Sequence, residues 1–112
     1  MGDIMGHGPQ INSAYDKTKK KYDYSGVFNP LEGIISSVDF AIANLEVTLA
    51  GQPYMGYPQF SSPDELAVAC KNVGIDVLMT ANNHSCDRKN SGLIRTVEVL
   101  DSLNILHTGT FK

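Results

Sequence analysis

Residues 39–46 read Asp-Phe-Ala-Ile-Ala-Asn-Leu-Glu, an apolar run that ends in polar side chains. Residues 40–43 are short and apolar at every position, which is typical of a parallel strand buried on both faces. Asn44 and Glu46 follow directly, and a charge that interrupts an apolar run needs a reason. The stretch therefore predicts a buried strand with candidate functional side chains at its carboxyl end.

Two helices flank this strand in the sequence. Residues 29–32, Asn-Pro-Leu-Glu, supply an N-cap residue, a proline at the first helical position and a glutamate at N3, and apolar residues follow at helical spacing. Residues 62–65, Ser-Pro-Asp-Glu, predict a second capping box, and Gly74 is placed to end that helix. Its buried stripe is predicted to contain Leu66, Ala69, Cys70 and Val73.

The alternation continues to the end of the sequence. Residues 76–80 predict a second strand, which is followed by Ala-Asn-Asn-His at residues 81–84. A third helix is predicted over residues 91–103 and a last short strand over residues 105–107. Strands that alternate with helices of this length are typical of an α/β fold with a mostly parallel sheet and flanking helices.

Other segments lack this order. Residues 8–27 predict a loop with one short helix near residues 12–20, and residues 51–61, rich in glycine, proline and aromatics, predict a second loop. Residues 3–6 read as the end of a strand already in progress, and the sequence stops as abruptly as it starts. We therefore expect residues 1–112 to form a single incomplete domain, so the missing targeting signal says nothing about compartment.

The composition is that of a globular domain: 42% of the 112 residues are hydrophobic and 19% are charged. A net charge of −3 argues against a nucleic-acid partner, which would need a basic face. The one basic run, residues 17–21, is interpreted as a solvated surface segment. Two cysteines do not make a disulfide framework; Cys70 is expected to be buried, and for Cys86 a role as ligand or nucleophile is the minor alternative.

Polar side chains follow each predicted strand. In an open parallel sheet, ligands bind outside the carboxyl ends of the strands, so these side chains are expected to converge on one edge. Carboxylate and amide oxygens together with imidazoles suit a divalent ion, which can activate water for attack on phosphorus, while a histidine outside the coordination shell protonates the leaving oxygen. The candidates are Asp3, His7, Asn44, Glu46, Asn82, Asn83, His84 and His107.

Each candidate also has a structural interpretation. Asp3 could cap a helix, and Asn44 and Asn82 could be turn residues that bond their own backbone. His107 is interpreted as structural, whereas His7 could be either a ligand or a substrate contact. Only the set of residues taken together favours a site.

An ordered set of motifs resembles the CapA/PgsA family of poly-γ-glutamate capsule biosynthesis proteins, whose fold is that of calcineurin-like metallophosphoesterases (α/β/β/α). The segments are residues 2–5 (Gly-Asp-Ile-Met), 39–46, 60–63 (Phe-Ser-Ser-Pro), 74–77 (Gly-Ile-Asp-Val), 81–84 with Asp87, and 103–109. The resemblance spans nearly the whole chain and implies that it is the N-terminal portion of such a domain.

The resemblance implies a role for five residues. Asp3, Glu46 and Asn83 match metal ligands, with Glu46 placed to bridge two ions. His84 matches the proposed general acid, and Asp87 would orient it, although its spacing differs from the Asn-His-Asp/Glu run of typical calcineurin-like enzymes. The ions implied are Mn, Zn or Fe, in a site that is incomplete because the later histidine motifs of the family are missing.

Three further residues are assigned to substrate binding, namely His7, Asn44 and Asn82. The family's usual Asp-x-His pair is replaced here by Asp3 and His7, which are separated by three residues. The identity of the first-site histidine is therefore open.

The leading functional interpretation is a metal-dependent phosphoesterase-like hydrolase of capsule or poly-γ-glutamate biosynthesis, with this chain inactive alone. The alternative is a non-catalytic module that binds or anchors an anionic envelope polymer, with Tyr54, Tyr57 and Phe60 as its wall. The expected partners are an anionic polymer or a phosphoester and, through an uncovered sheet, a second copy of the chain. The parent protein is expected in the cell envelope, outside the cytoplasm, with membrane association as a further expectation.

Overall fold

The computed structural model describes residues 2–112. Within these residues, six strands and four helices follow one another. They are β1 (Asp3–Ile4), α1 (Gly8–Ala14), β2 (Tyr15–Asp16), β3 (Lys21–Tyr22), a 3-10 turn (Asn29–Leu31), α2 (Glu32–Ser37), β4 (Ile42–Leu45), α3 (Glu65–Val73), β5 (Val77–Met79), α4 (Lys89–Ser102) and β6 (Leu106–Thr108).

Four of the strands form one sheet in the order β1-β4-β5-β6, and every neighbouring pair is parallel. The register aligns Asp3 with Asn44, Asn44 with Met79, and Met79 with Thr108. The predicted α/β fold with a parallel sheet and flanking helices is confirmed. Strands β2 and β3 form a separate antiparallel hairpin.

The two faces of the sheet differ in cover. One face, called the closed face, presents Ile4, Ala43, Leu45 and Leu78, which are all buried in a single core with apolar residues of α2, α3 and α4. The other, called the open face, presents Ile42, Met79 and Leu106, which are 43%, 38% and 66% exposed. Strands that follow one another across a sheet with right-handed connections place those connections on the same side, which accounts for the asymmetry.

The prediction that residues 40–43 form a strand buried on both faces is therefore wrong. The strand lies two residues later, at Ile42–Leu45, and it is buried on the closed face alone. Phe40, which precedes it, is 58% exposed.

Helix α3 matches its predicted core stripe, since Leu66, Ala69, Cys70 and Val73 are all buried. Gly74 ends the helix in the left-handed conformation, with a φ of 106°, as predicted. The capping box does not form: the N-cap is Asp64, and the hydroxyl of Ser62 is buried without a hydrogen-bond partner. The backbone N–H of Ser62 donates instead to the carbonyl of Thr48 at 3.0 Å, which places this residue in the preceding loop.

Helix α2 exists where it was predicted, but its environment differs. Asn29 lies within the 3-10 turn and does not cap the helix. Of the predicted apolar face only Ile35 is buried, while Leu31, Ile34 and Val38 are exposed. The helix therefore contacts the core along one narrow line.

The predicted short helix near residues 12–20 is misplaced, because the helix of this region is α1 at Gly8–Ala14. Residues 15–22 form the β2–β3 hairpin, whose turn is held by Asp16: its Oδ1 accepts the backbone N–H groups of Thr18 and Lys19. The lysines of the turn are exposed, as the surface interpretation of residues 17–21 predicts.

Helix α4 and strand β6 lie within a few residues of their predicted bounds. Over residues 2–112, none of the helices combines the length and the apolar character that a membrane-spanning helix requires.

Candidate functional site

Three residues predicted from two strand ends meet at the β1–β4 pair. Asp3 and Asn44 are direct partners in the sheet, and Glu46 follows two residues after Asn44 on the same side. The Asn44 amide nitrogen donates to Asp3 Oδ1 at 2.9 Å and to Glu46 Oε2 at 3.0 Å. One amide group therefore holds two carboxylates side by side.

This closeness changes the acidity of Glu46. Burial raises the pKa of the Glu46 carboxyl, the hydrogen bond and the negative charge of Asp3 raise it further, and His84 lowers it by a smaller amount. Two carboxylates that share one donor in this way gain from a positive charge between them.

The loop after β5 joins this group through a second amide. Asn82 Nδ2 donates to Asn44 Oδ1 at 3.1 Å and to the carbonyl of Leu45 at 2.8 Å. Asn82 Oδ1 accepts the backbone N–H of His84 at 3.0 Å. The Ser85 hydroxyl, which accepts from the backbone of Asn82 and donates back to its carbonyl, holds the loop in shape. The position of His84 is thus tied to the carboxylates of β1 and β4.

His84 is oriented by Asp87, whose Oδ2 lies 2.8 Å from His84 Nδ1. The same oxygen accepts the backbone N–H of Phe60 at 2.9 Å, so the carboxylate is fixed from two directions. The two side chains are 16% and 12% exposed, respectively. Because Nδ1 faces a carboxylate, it carries the proton in the neutral ring, and Nε2 is the nitrogen left for chemistry.

Phe60 lies between two histidines. Its ring makes edge contacts with His84, at a centroid distance of 4.7 Å, and with His7, at 5.1 Å. His7 thereby joins the cluster, while its own backbone N–H donates to Gln10 at the start of α1. The predicted wall of Tyr54, Tyr57 and Phe60 needs correction, because Phe60 is 1% exposed and cannot contact a polymer.

The sequence analysis places Phe60 in the wall of a polymer-binding surface and in the resemblance segment 60–63, and it does not predict the contacts of this ring with His7 and His84. A phenylalanine in a glycine-proline loop carries no signal for such contacts. Gly56 explains how the loop reaches His7: a Cβ at this position would lie 2.5 Å from the backbone nitrogen of Gly8 and 2.9 Å from the Cα of His7. The loop 51–61 therefore packs directly on the β1–α1 connection.

Three other candidates are not joined to this cluster by the hydrogen bonds described above. Asn83 is exposed, and the chain of hydrogen bonds passes from Asn82 to His84 without it. His107 Nε2 lies 2.7 Å from the Asp101 carboxylate of α4, so its role there is structural. Cys86 is exposed, whereas Cys70 is buried as predicted, and burial raises the pKa of the Cys70 thiol to about 12.

The donor set suits a divalent ion in kind. Asp3 and Glu46 supply carboxylate oxygens, and Asn83 and His84 in the loop after β5 offer an amide and an imidazole, a mixture that Mn, Zn and Fe accept. Within residues 2–112, no three His, Cys, Asp or Glu side chains are grouped so that they could hold a metal ion. The part of the chain that the structure describes also forms no salt bridge between these two carboxylates and a lysine or arginine.

These features define an α/β protein with a four-stranded parallel sheet and a polar cluster at the carboxyl ends of its strands. The sequence profile described as bacterial capsule synthesis protein PGA_cap matches residues 1–112. The chain belongs to this family, which confirms the resemblance to capsule biosynthesis proteins. A comparison with curated proteins found no match to the chain.

Proposed function

We propose that the cluster around Asn44 is part of a divalent-metal-dependent phosphoesterase site that serves capsule synthesis. The observation that carries the proposal is the convergence of the Asp3 and Glu46 carboxylates on one amide nitrogen, at 2.9 and 3.0 Å. Membership of the capsule synthesis family supports the biological setting.

Asp3, Glu46 and Asn83 are the proposed ligands for Mn, Zn or Fe, with Glu46 as the bridging group. A divalent ion at such a site neutralises charge on phosphoryl oxygens and lowers the pKa of water. The raised pKa of Glu46 supports this assignment, since a cation would replace the proton that the crowded carboxylates otherwise favour.

His84 is the proposed general acid. Asp87 holds Nδ1–H at 2.8 Å, which leaves Nε2 to carry a second proton and to donate it to the leaving oxygen of a phosphoester. The contact with Asp87 fixes the orientation of the His84 ring, and Phe60 limits rotation of the ring through its edge contact. Asp87 acts through His84 and is a positioning residue.

We further propose that residues 1–112 form the N-terminal portion of a calcineurin-like metallophosphoesterase domain. The order of the motifs along the chain supports this assignment, and so does the open face of the sheet, which in a two-sheet fold would receive a second layer. The proposed place of work is the cell envelope, where a capsule is assembled.

The test uses the whole protein that contains residues 1–112. Its metal content is measured by mass spectrometry, and its activity is measured as hydrolysis of bis(p-nitrophenyl) phosphate. Glu46→Ala should lose bound metal, whereas His84→Ala should keep it and lose about a hundredfold or more in rate. His107→Ala, a histidine paired with Asp101 instead, is the matched control and should resemble the parent protein. Absence of Mn, Zn and Fe together with an unchanged rate in His84→Ala would overturn the proposal.

A second candidate function is a non-catalytic module that binds an anionic envelope polymer. The exposed lysines at positions 17 and 19–21 of the β2–β3 turn favour it, since they offer positive charge away from the carboxylates. In a separate binding measurement, this candidate gains support if poly-γ-glutamate binds equally well to the parent and to the Asp3→Ala, Glu46→Ala double variant, without turnover.

A further inference from the structure

We infer that Asn44 and Asn82 are positioning residues, which fix the Asp3–Glu46 carboxylates relative to His84, and are not substrate contacts. The inference rests on the proposed function for its metal ion and on the hydrogen bonds of the two side chains for its geometry. We call Asn44 and Asn82 the amide pair.

The orientation of each amide follows from its neighbours. The Asn44 NH₂ group faces two carboxylate oxygens, so a flipped amide would place its own oxygen against both of them. The Asn82 NH₂ group faces two carbonyl oxygens, those of Leu45 and of the Asn44 side chain, and its oxygen faces the N–H of His84. Both orientations are therefore determined by hydrogen bonding alone.

The amide pair has no donor left for a substrate. An amide NH₂ group has two hydrogens, and each of the two groups makes two hydrogen bonds within the protein. A substrate phosphate would need such donors, because its oxygens only accept. Assignment of Asn44 and Asn82 to substrate binding therefore requires breaking contacts that are already in place.

The same bonds define what the pair does. Asn44 holds the oxygens of Asp3 and Glu46 on one nitrogen, and Asn82 holds Asn44 with one end and the backbone of His84 with the other. The proposed metal ligands and the proposed general acid are thus connected by consecutive hydrogen bonds. Residues that hydrogen-bond to metal ligands commonly contribute about ten- to a hundredfold to metal affinity.

The experiment measures Mn²⁺ affinity from the electron paramagnetic resonance signal of free Mn²⁺, at a temperature well below unfolding. Asn44→Ala should weaken Mn²⁺ binding about tenfold, and Asn82→Ala should weaken it in the same direction although it touches neither carboxylate. Asn72→Ala, at an exposed position in the last turn of α3, is the matched control. Val97→Ala, which opens the core in α4, controls for stability and should lower Tm without changing the affinity.

A second measurement needs no metal. In amide NMR spectra of the metal-free protein, Asn44→Ala should shift the side-chain NH₂ resonances of Asn82 and the backbone N–H of His84, whereas Asn72→Ala should leave both in place. If these shifts appear but the parent protein binds no Mn²⁺, the proposed function fails and the positioning role stands. If the parent binds Mn²⁺ but both amide variants keep its affinity and spectra, the positioning role is overturned. Should Asn44→Ala not fold, Asn82→Ala carries the Mn²⁺ measurement, and in its spectra the side-chain NH₂ resonances of Asn44 and the backbone N–H of His84 should shift instead.

Discussion

The two faces of the four-stranded sheet carry different side chains and different amounts of cover. The closed face buries Ala43, Leu45 and Leu78 against α2, α3 and α4, whereas the open face leaves Met79 and Leu106 partly exposed. Asp3 and Asn44 lie in register with Met79 and therefore belong to the open side. Stability and candidate chemistry are therefore divided between the two faces: apolar packing on the closed face stabilises the fold, and the polar cluster lies on the open face.

The largest expected effect separates two adjacent residues of β5. Leu78→Ala removes a fully buried side chain from the closed face and should lower the free energy of unfolding by about 3 kcal/mol. Met79→Ala, on the open face, should lower it by about 0.5 kcal/mol or less. Urea denaturation of the two variants measures both values, and equal losses would mean that the open face is as well packed as the closed one.

An alkaline titration tests the dryness of the closed side. The pKa of Cys70 is raised to about 12, above its ordinary value of 9.0, because the thiol is buried. Because the thiol of the unfolded chain releases its proton at a lower pH than the buried thiol, the stability that the neutral Cys70 thiol contributes is complete below pH 9. It is lost as the pH rises towards 12. At pH 10.5 the loss from this thiol should be on the order of 2 kcal/mol.

The comparison is made between Cys70→Ala and Cys86→Ala, which removes an exposed thiol. The free energy of unfolding is measured by urea denaturation at pH 8.5 and at pH 10.5. Its loss between the two pH values should be smaller in Cys70→Ala than in the parent protein, and in Cys86→Ala it should equal the loss in the parent. Burial also raises the pKa of Tyr24 to about 12, but that contribution is common to all three proteins and cancels. Parallel slopes in all three would show that Cys70 is reached by water.

The smallest expected effect concerns the open face. An exposed apolar face beside the free edge of β6 favours self-association, as the sequence led us to expect. Leu106→Lys should weaken self-association in sedimentation velocity by about tenfold, the change that about 1.4 kcal/mol of lost apolar contact produces. Tyr57→Lys removes a more exposed apolar side chain from the 51–61 loop and should have no effect. A parent protein that stays monomeric over the concentration range would contradict the expectation.

Much of the fold could be read from the sequence because its signals are local. The helical spacing of Leu66, Ala69, Cys70 and Val73 and the glycine at position 74 determine α3 without help from other parts of the chain. The alternation of such helices with short apolar strands then predicts the parallel sheet.

The errors arise where distant contacts decide. Ser62 looks like a helix cap, but the bond to Thr48 places it in the preceding loop. The apolar run at residues 40–43 cannot reveal that one side of the sheet lacks a covering layer. The β2–β3 hairpin was missed because the turn at Asp16 contains neither glycine nor proline, the two usual signals.

The candidate site was partly predictable for the same reason. Parallel strands bring their carboxyl ends to one edge, which is enough to gather Asp3, Asn44, Glu46 and Asn82. It does not tell which atom of each amide faces which neighbour, and this detail changes the interpretation of Asn44 and Asn82. The contact of Phe60 with His7 and His84 depends on how a long loop folds back, which no local pattern encodes.

The close approach of Gly56 to Gly8 and His7 has a consequence for how this gene can vary. Every amino acid that a missense change can produce from a glycine codon carries a Cβ atom. Any such missense change at position 56 would place that carbon against the backbone before α1 and push the loop 51–61 away from His7. Codon 56 should therefore accept silent mutations alone, and a deep mutational scan would find it depleted of all nineteen replacements.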